Sequence, residues 1–481
     1  MLSAMIVMSS CEDLLDTEPK NSLSSATALS DANSFEAVLI SAYDRVQDFG
    51  YWGRDMSLMG EALSDNNKVE TSIAGGRYTT HATNTTGSHF NIWGNAYRTI
   101  NDLNNILAVI DARLTAPADA ARAPQLKGEA LFLRAMVYFD LARIYGYEPT
   151  RIPGSGLGAG WDKSAVLRLE PTLSPEDASK QSRATGLEIY QAVEADLLAA
   201  IAVISNDNAA TGKGRFRGSK GAAHALLGKV YLYWQKYPEA IAQFDLAMAN
   251  TSATPLTAGT YATRFKAAPP HQEALFQLKF VQAVEVSGVV GVNDSPFSYT
   301  QPNLRNGFST FGGSTPSAEL RALFLPGDDR LAIMSTAQVP AGTGPLFNWC
   351  DKFNGADGQY TDGPWVIRYA DVQLMKAEAL ASQAAPDYAA AQTIVNNLRL
   401  ARNTTAIAPA DATIIDFILD ERRRELFFEG HRWFDLKRLG RPITKPAGVG
   451  ATLAYEDNRL LAPLPNADVT FNPDLPQNPG Y

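Results

Sequence analysis

The sequence predicts a mainly α fold: four tetratricopeptide-like helix pairs stacked into an α-solenoid scaffold with a loop-rich face. Three observations lead there. Amphipathic or Ala-rich segments of helical period recur along the chain, one of them carries the spacings of a helix-turn-helix repeat, and no sheet of any size is legible between them.

From Asn33 to Gln47, the residues Phe35, Val38, Leu39, Ala42, Tyr43 and Val46 recur at helical spacing, with Ser30 or Asp31 available as cap. Residues 49–90 hold Tyr51, Trp52, Gly60, Gly75 and Gly76 among many Asn, Ser and Thr. A long irregular stretch is expected there, and loops of that length are usually functional. Helix resumes over 93–110, with Trp93, Ala96, Tyr97, Ile100, Leu103 and Leu107 on one side. Segment 125–145 is apolar almost all round, which predicts a buried helix ending at Gly146. A Gly-rich loop near 154–161 then leads to an Ala-rich helix over 186–204.

Between His224 and Asn250, the residues Leu227, Gly228, Tyr231, Ala240, Phe244 and Ala247 fall at the relative spacings of the tetratricopeptide repeat, where small residues let two helices approach and large ones fill the gap. Tyr369–Ser382 and Tyr388–Arg402 read as a second such pair. By analogy 125–145 pairs with 186–204, and 33–47 with 93–110. Pairs near 33–110, 125–204, 224–250 and 369–402 stack into one solenoid with a continuous apolar seam. A single domain over 20–481 is therefore expected, in place of the roughly three that 481 residues alone would suggest. Between 251 and 365, 12 Gly and 10 Pro predict a loop-rich insertion, with Ala274–Phe280 as a short strand. Binding sites tend to lie in such regions. Over 411–481 a charged helix gives way to an extended tail, since the last 41 residues carry 7 Pro.

Composition narrows the classes. Apolar residues make up 45% and charged ones 19%, enough core material to exclude disorder as a description of the whole chain. The 42 basic against 51 acidic residues give a net charge of −9, which argues against nucleic acid as a partner. No segment approaches the ~18 uninterrupted apolar residues of a membrane-spanning helix. Cys11 and Cys350 are the only cysteines, too few for a disulfide framework or a cysteine-rich zinc site. Cys11 follows an uncharged apolar stretch ending in Ser9-Ser10, the way a lipoprotein signal presents its cysteine for lipidation. Residues 1–19 are read as signal remnant and tether. The stretch lacks a basic n-region, so a complete signal would need residues upstream.

The block Ile414–Leu439 gathers Glu421, Glu425, Glu429, His431 and Asp435, which could suggest a two-carboxylate glycosidase or a metal site. Ion pairing is the stronger reading. Asp420 and Glu421 stand within helical reach of Arg424, and Glu425 within reach of Arg422, and carboxylates so paired stay ionised rather than acting as general acids. A structural ion network locking this helix against the repeats is expected. No catalytic residue, metal or cofactor is expected, because the histidines lack paired ligand spacing and no phosphate-binding glycine loop or nucleophile elbow is found.

Five segments resemble the SusD/RagB-like family of nutrient-binding outer-membrane lipoproteins: SSCEDLLDTEP around Cys11, EALFLRAMVYFDLARIYG at 129–146, VIRYADVQLMKAEAL at 366–380, ERRRELFFEGHRWFDLKRLG at 421–440, and LLAPLPNADVTFNPDLPQNPGY at 460–481. The resemblance implies a lipid-anchored, surface-exposed protein that captures a glycan, or in some members a peptide. It also implies a SusC-like TonB-dependent transporter as partner, over whose barrel the lipoprotein sits as a lid. In such capture an aromatic ring stacks on the C–H face of a sugar while polar side chains satisfy its hydroxyls. The candidates are Tyr51, Trp52, Asp65, Asn66, Arg77 and Tyr78 in the first loop region, and Tyr299 and Trp349 in the second. Trp93, Trp234 and Trp433 fall on helical faces and are expected in the core. The function expected is non-catalytic oligosaccharide binding. The alternatives are peptide binding, a glycoside hydrolase using Glu421 and Glu425, or a protein-interaction scaffold.

Overall fold

The computed structural model describes residues 29–481 apart from 75–76, 175–177, 206–213, 282–294, 303, 306–307, 340 and 357. Cys11 and the 1–19 tether lie outside the described residues. Helix α1 (Ala32–Val46) starts at Asp31, whose carboxylate accepts from the Ser34 amide at 2.8 Å. Helices α2 (Asp55–Leu63), α3 (Trp93–Arg113), α4 (Ala123–Tyr145) and α5 (Gly186–Val203) follow. The start of α5 is a capping box, with the Thr185 hydroxyl accepting from the Glu188 amide and Glu188 accepting from the Thr185 amide. Then come α6 (Lys220–Tyr233), α7 (Tyr237–Ala249), α8 (Tyr369–Ser382), α9 (Tyr388–Leu400), α10 (Ile414–Leu426) and α11 (Arg432–Arg438).

The expected pairs are in contact: α1 with α3, α4 with α5, α6 with α7, and α8 with α9. They also join in series, since α3 packs on α4, α5 on α6 and α7 on α8. The α6/α7 approach is as close as its small residue implies, because a Cβ at Gly228 would lie 2.6 Å from the Phe244 ring. Helix α4 is buried on every side from Gly128 to Tyr145. It ends at Gly146 as expected, but Gly146 is extended rather than left-handed. Glycine is required there by crowding, as a Cβ would meet Ser164 at 2.9 Å.

Strands are short and, among the described residues, paired only in twos. Antiparallel partners are β1 (Asn67–Val69) with β3 (Ser314–Pro316), β2 (Ala274–Gln277) with β6 (Trp365–Arg368), and β4 (Met334–Gln338) with β5 (Leu346–Cys350). The β1/β3 pair ties the first loop region to the second across almost 250 residues of sequence.

Three expectations are corrected. Residues 49–90 are not irregular throughout, because α2 crosses them with all nine of its residues buried. Its nine residues include Asp55, Ser57, Gly60 and Glu61, so it shows neither an amphipathic stripe nor the long apolar run that marks α4. The charged block is not one helix either: it breaks between α10 and α11, where Phe428 and Gly430 adopt φ of +60° and +82°. Glycine at 430 allows the backbone to lie against Met56 of α2, whose carbonyl oxygen would be 2.2 Å from a Cβ. The Pro-rich tail also holds a short helix, Asn466–Phe471. Trp93 and Trp433 are in the core as expected, while Trp234 is half-buried under Lys236.

Candidate functional site

The acidic and basic side chains of the 414–439 block point inward. Glu421 accepts from Arg330 at 2.7 Å, Arg399 at 2.7 Å and Arg424 at 2.8 Å. Glu425 accepts from Arg368 at 2.8 Å, Arg402 at 3.0 Å and Arg330 at 3.2 Å. Glu429 takes Lys352 and Arg368, while Glu273 bridges Arg368 and Arg402. Burial works to raise the Glu421 carboxyl, but Arg330, Arg424 and Arg399 outweigh it and hold the group at about 2. Burial likewise opposes ionisation of Glu425, and Arg402, Arg368 and Arg330 hold it well below the usual carboxylate range. Such carboxylates have no proton to give near neutrality, so they are not poised as general acids. Arg422 turns from Glu425 to Asp371 and Asp435, both at 2.8 Å. His431 lies beside Asp371 and Lys229, and burial pushes its imidazole well below the ordinary histidine range.

The loop-rich face presents a different arrangement. Tyr78 stands at φ +64°, a left-handed conformation unusual for a bulky residue, and its hydroxyl donates to Asp55 at 2.6 Å. Arg54 donates to the same oxygen at 2.7 Å and spreads its guanidinium over three rings: Phe49 at 4.9 Å, Tyr299 at 5.4 Å and Tyr78 at 5.9 Å. Tyr78 and Tyr299 meet edge to face with centroids 5.6 Å apart. Arg77 lies over Tyr299 and Phe311, 5.3 Å from each. The result is a continuous stack, Phe49, Arg54, Tyr299, Arg77, Phe311. Its outer members are open to solvent: Phe49 is 46% exposed, Arg77 is exposed and Phe311 half-buried. Rings and guanidinium planes at such an edge combine apolar faces with in-plane donors, the pairing that polyhydroxylated ligands require.

Of the eight expected site residues, Arg77, Tyr78 and Tyr299 are thus brought together, with the two tyrosines forming the floor. None of the aromatic candidates faces solvent, since Tyr78 and Tyr299 are themselves buried beneath the face. Tyr51 and Trp52 are buried because both donate to Asp140, at 2.6 and 2.8 Å, and Asp140 in turn is held by Arg143. Trp349 is fully buried on β5, where its indole donates to the Ala337 carbonyl at 3.3 Å. Asp65 accepts two hydrogen bonds of 2.8 Å from Arg432, and Asn66 is shared between Glu61 and Arg423 at 2.7 Å each. Burial pushes the Asp65 carboxyl up, but Arg432 and Arg423 hold it below the usual carboxylate range. These side chains hold the face in place rather than forming its surface. Phe49, Arg54 and Phe311 escape sequence reasoning. Phe49 adjoins the end of an amphipathic helix and reads as its continuation, and Phe311 is one aromatic among many in a Gly/Pro-rich stretch.

With the fold and face in view, comparison with known proteins places the chain. Residues 13–232 match a family described as starch-binding, associating with the outer membrane, and residues 332–481 match the SusD family. The chain belongs to the SusD/RagB family. It is 25% identical to SusD-like protein P2 of Formosa agariphila, over 99% of this chain and 98% of that one. A SusD superfamily protein from Bacteroides thetaiotaomicron superposes with a TM-score of 0.79 at 21% identity, covering 93% of this chain and 100% of the other. A laminarin-binding SusD-like protein superposes with a TM-score of 0.70 at 22% identity, covering 93% and 99%. The SusD family is a family of carbohydrate-binding proteins associated with the outer membrane.

Proposed function

We propose that this SusD/RagB protein is a non-catalytic, surface-exposed lipoprotein. It captures an oligosaccharide on the face bearing Phe49, Arg77 and Phe311 and passes it to a SusC-like TonB-dependent transporter. The observation that carries the reading is the stack itself. Phe49 and Phe311 offer apolar faces at a rim where Arg77 supplies donors, while buried Tyr78, Tyr299 and Arg54 keep the rim rigid. The laminarin-binding relative and the starch-binding family description support a glycan as ligand. The carboxylates of the charged block, paired and ionised, support binding without cleavage.

The test is affinity electrophoresis of the full chain through a panel of polysaccharides, repeated with Phe49→Ala, Arg77→Ala and Phe311→Ala. Retardation by at least one glycan, weakened about tenfold by each substitution, is expected if each side chain supplies about 1.4 kcal/mol of contact. Saturable binding of peptides and of no glycan would turn the reading to the peptide alternative. Lipidation is tested by Cys11→Ala, which should move the protein from the membrane fraction to the soluble one. The transporter is tested by its recovery with the purified lipoprotein from detergent-extracted outer membrane.

A further inference from the structure

Beside the stack lies a cleft of about 960 Å³, bounded by α1, the start of α3, Phe216, the 278–280 segment and Pro296. Phe49 belongs to both: it lines the cleft and stacks on Arg54. The short helix Pro296–Thr300 also divides them, with Pro296 on the cleft and Tyr299 in the stack. The cleft therefore adjoins the proposed glycan face at Phe49.

Its lining has the chemistry of a sugar site. Phe49 is 46% exposed and Phe280 is half-buried, so both leave ring surface open. Asp44 and Arg98 are exposed on the walls. Asn95 donates from its amide nitrogen to the Arg45 carbonyl at 2.7 Å, which leaves its amide oxygen to accept from a hydroxyl. Asp48 accepts from the Gly50 amide at 2.8 Å and keeps a second carboxylate oxygen. Its lining mixes acidic Asp44 and Asp48 with basic Arg45, Arg98 and Lys279, so it offers no single-sign field to a polyanion. The volume lies at the upper end of the range for small-molecule sites, about 300–1,000 Å³, and so suits several sugar rings rather than one.

We propose that this cleft is a second subsite for the same glycan, joined to the stack through Phe49, and that the preferred ligand is a neutral oligosaccharide long enough to occupy both. The inference rests on the glycan reading above. It is tested by calorimetric titration of the full chain with malto-oligosaccharides and laminari-oligosaccharides of increasing length. Affinity should climb with length in one series, and the climb should shrink about tenfold in Phe280→Ala. Arg98→Ala and Asp44→Asn change exposed side chains and should also flatten it, which keeps the test valid if Phe280→Ala misfolds. Affinity independent of length, or a climb untouched by all three substitutions, overturns the cleft while leaving glycan capture intact. Binding to neither series, together with no retardation by any polysaccharide, overturns both.

Discussion

Glu425→Gln separates a structural role for the charged block from a catalytic one. In the connected set around Glu425, the acids Asp328, Glu273, Glu421, Glu425 and Glu429 face the cations Arg330, Arg368, Arg399, Arg402, Arg424 and Lys352. Five negative charges thus oppose six positive ones, with almost no solvent between them. Replacing the carboxylate by an amide of the same shape leaves four against six, and it turns an NH₂ toward guanidinium groups that are themselves only donors. Removing one partner of a buried pair costs about 3–5 kcal/mol, and Arg330, Arg368 and Arg402 each lose part of their compensation here. Urea denaturation followed by tryptophan fluorescence should show a loss of that size at pH 7. Because the Glu425 carboxyl is held well below its ordinary range, its contribution is present above about pH 4.5 and fades as the pH falls through the folded-state value. The variant should therefore lose less than the parent on acidification. A loss under about 1 kcal/mol at pH 7, or a glycan-cleaving activity that disappears in a folded variant, would refute the structural assignment.

Four further substitutions probe three separate parts of the molecule. Tyr51→Phe removes the 2.6 Å bond to the Asp140 carboxylate, and Trp52→Phe the 2.8 Å one; each should cost about 2 kcal/mol in urea denaturation and leave glycan affinity within twofold. Gly228→Val drives a Cβ to 2.6 Å from the Phe244 ring, so the α6/α7 pair must part and stability should fall by about 1–3 kcal/mol. Burial raises the Glu61 carboxyl to about 7 against the opposing Asn66 hydrogen bond, so the folded state holds a proton that the unfolded chain releases near 4.5. That contribution is complete below pH 4.5 and is lost as the pH rises through 7, a change on the order of 3 kcal/mol. Glu61→Gln should therefore gain on the parent across that window, and a flat difference between the two would count against the shift.

The helical scaffold was legible wherever a helix has one wet side. The apolar stripe of α1 and α3, and the small residues of α6 and α7, mark both an element and the face it buries. Legibility failed in α2, which is buried all round as α4 is but has nine residues against twenty-three, and whose DMSLMGEAL run mixes polar with apolar residues and carries no stripe. It failed again at Phe427–His431, where the reason for the break lies in the approach of Met56, a contact with α2 far away in the chain. The candidate face was half legible for the same reason. Tyr78 and Arg77 announce themselves as an aromatic and a cation in a loop, but the ring under Arg77 belongs to Tyr299, more than 200 residues on. Conversely Tyr51 and Trp52 look like loop aromatics until Asp140, in the last two turns of α4, is found to hold both.

The charged block and the loop face, which read as unrelated in the sequence, form one mechanical unit. Arg432 and Arg423 reach out of the block to Asp65 and Asn66, immediately before β1. The Ser317 amide donates to the Asn66 carbonyl at 2.7 Å, and β1 pairs with β3, which starts three residues beyond Phe311. On the other side Glu61 of α2 accepts from Asn66 and from the Gly430 amide, so the same turn that breaks the block also fixes the helix that begins at Asp55, the partner of Tyr78 and Arg54. Each end of the stack is thus carried on an element anchored to buried ions. A weakly directional ligand such as a sugar gives little energy per contact, so rings that must be ordered on binding would forfeit much of the gain to entropy. Under the proposed glycan-binding reading, holding Phe49, Arg77 and Phe311 in place beforehand removes that cost, and this gives the buried charge a purpose.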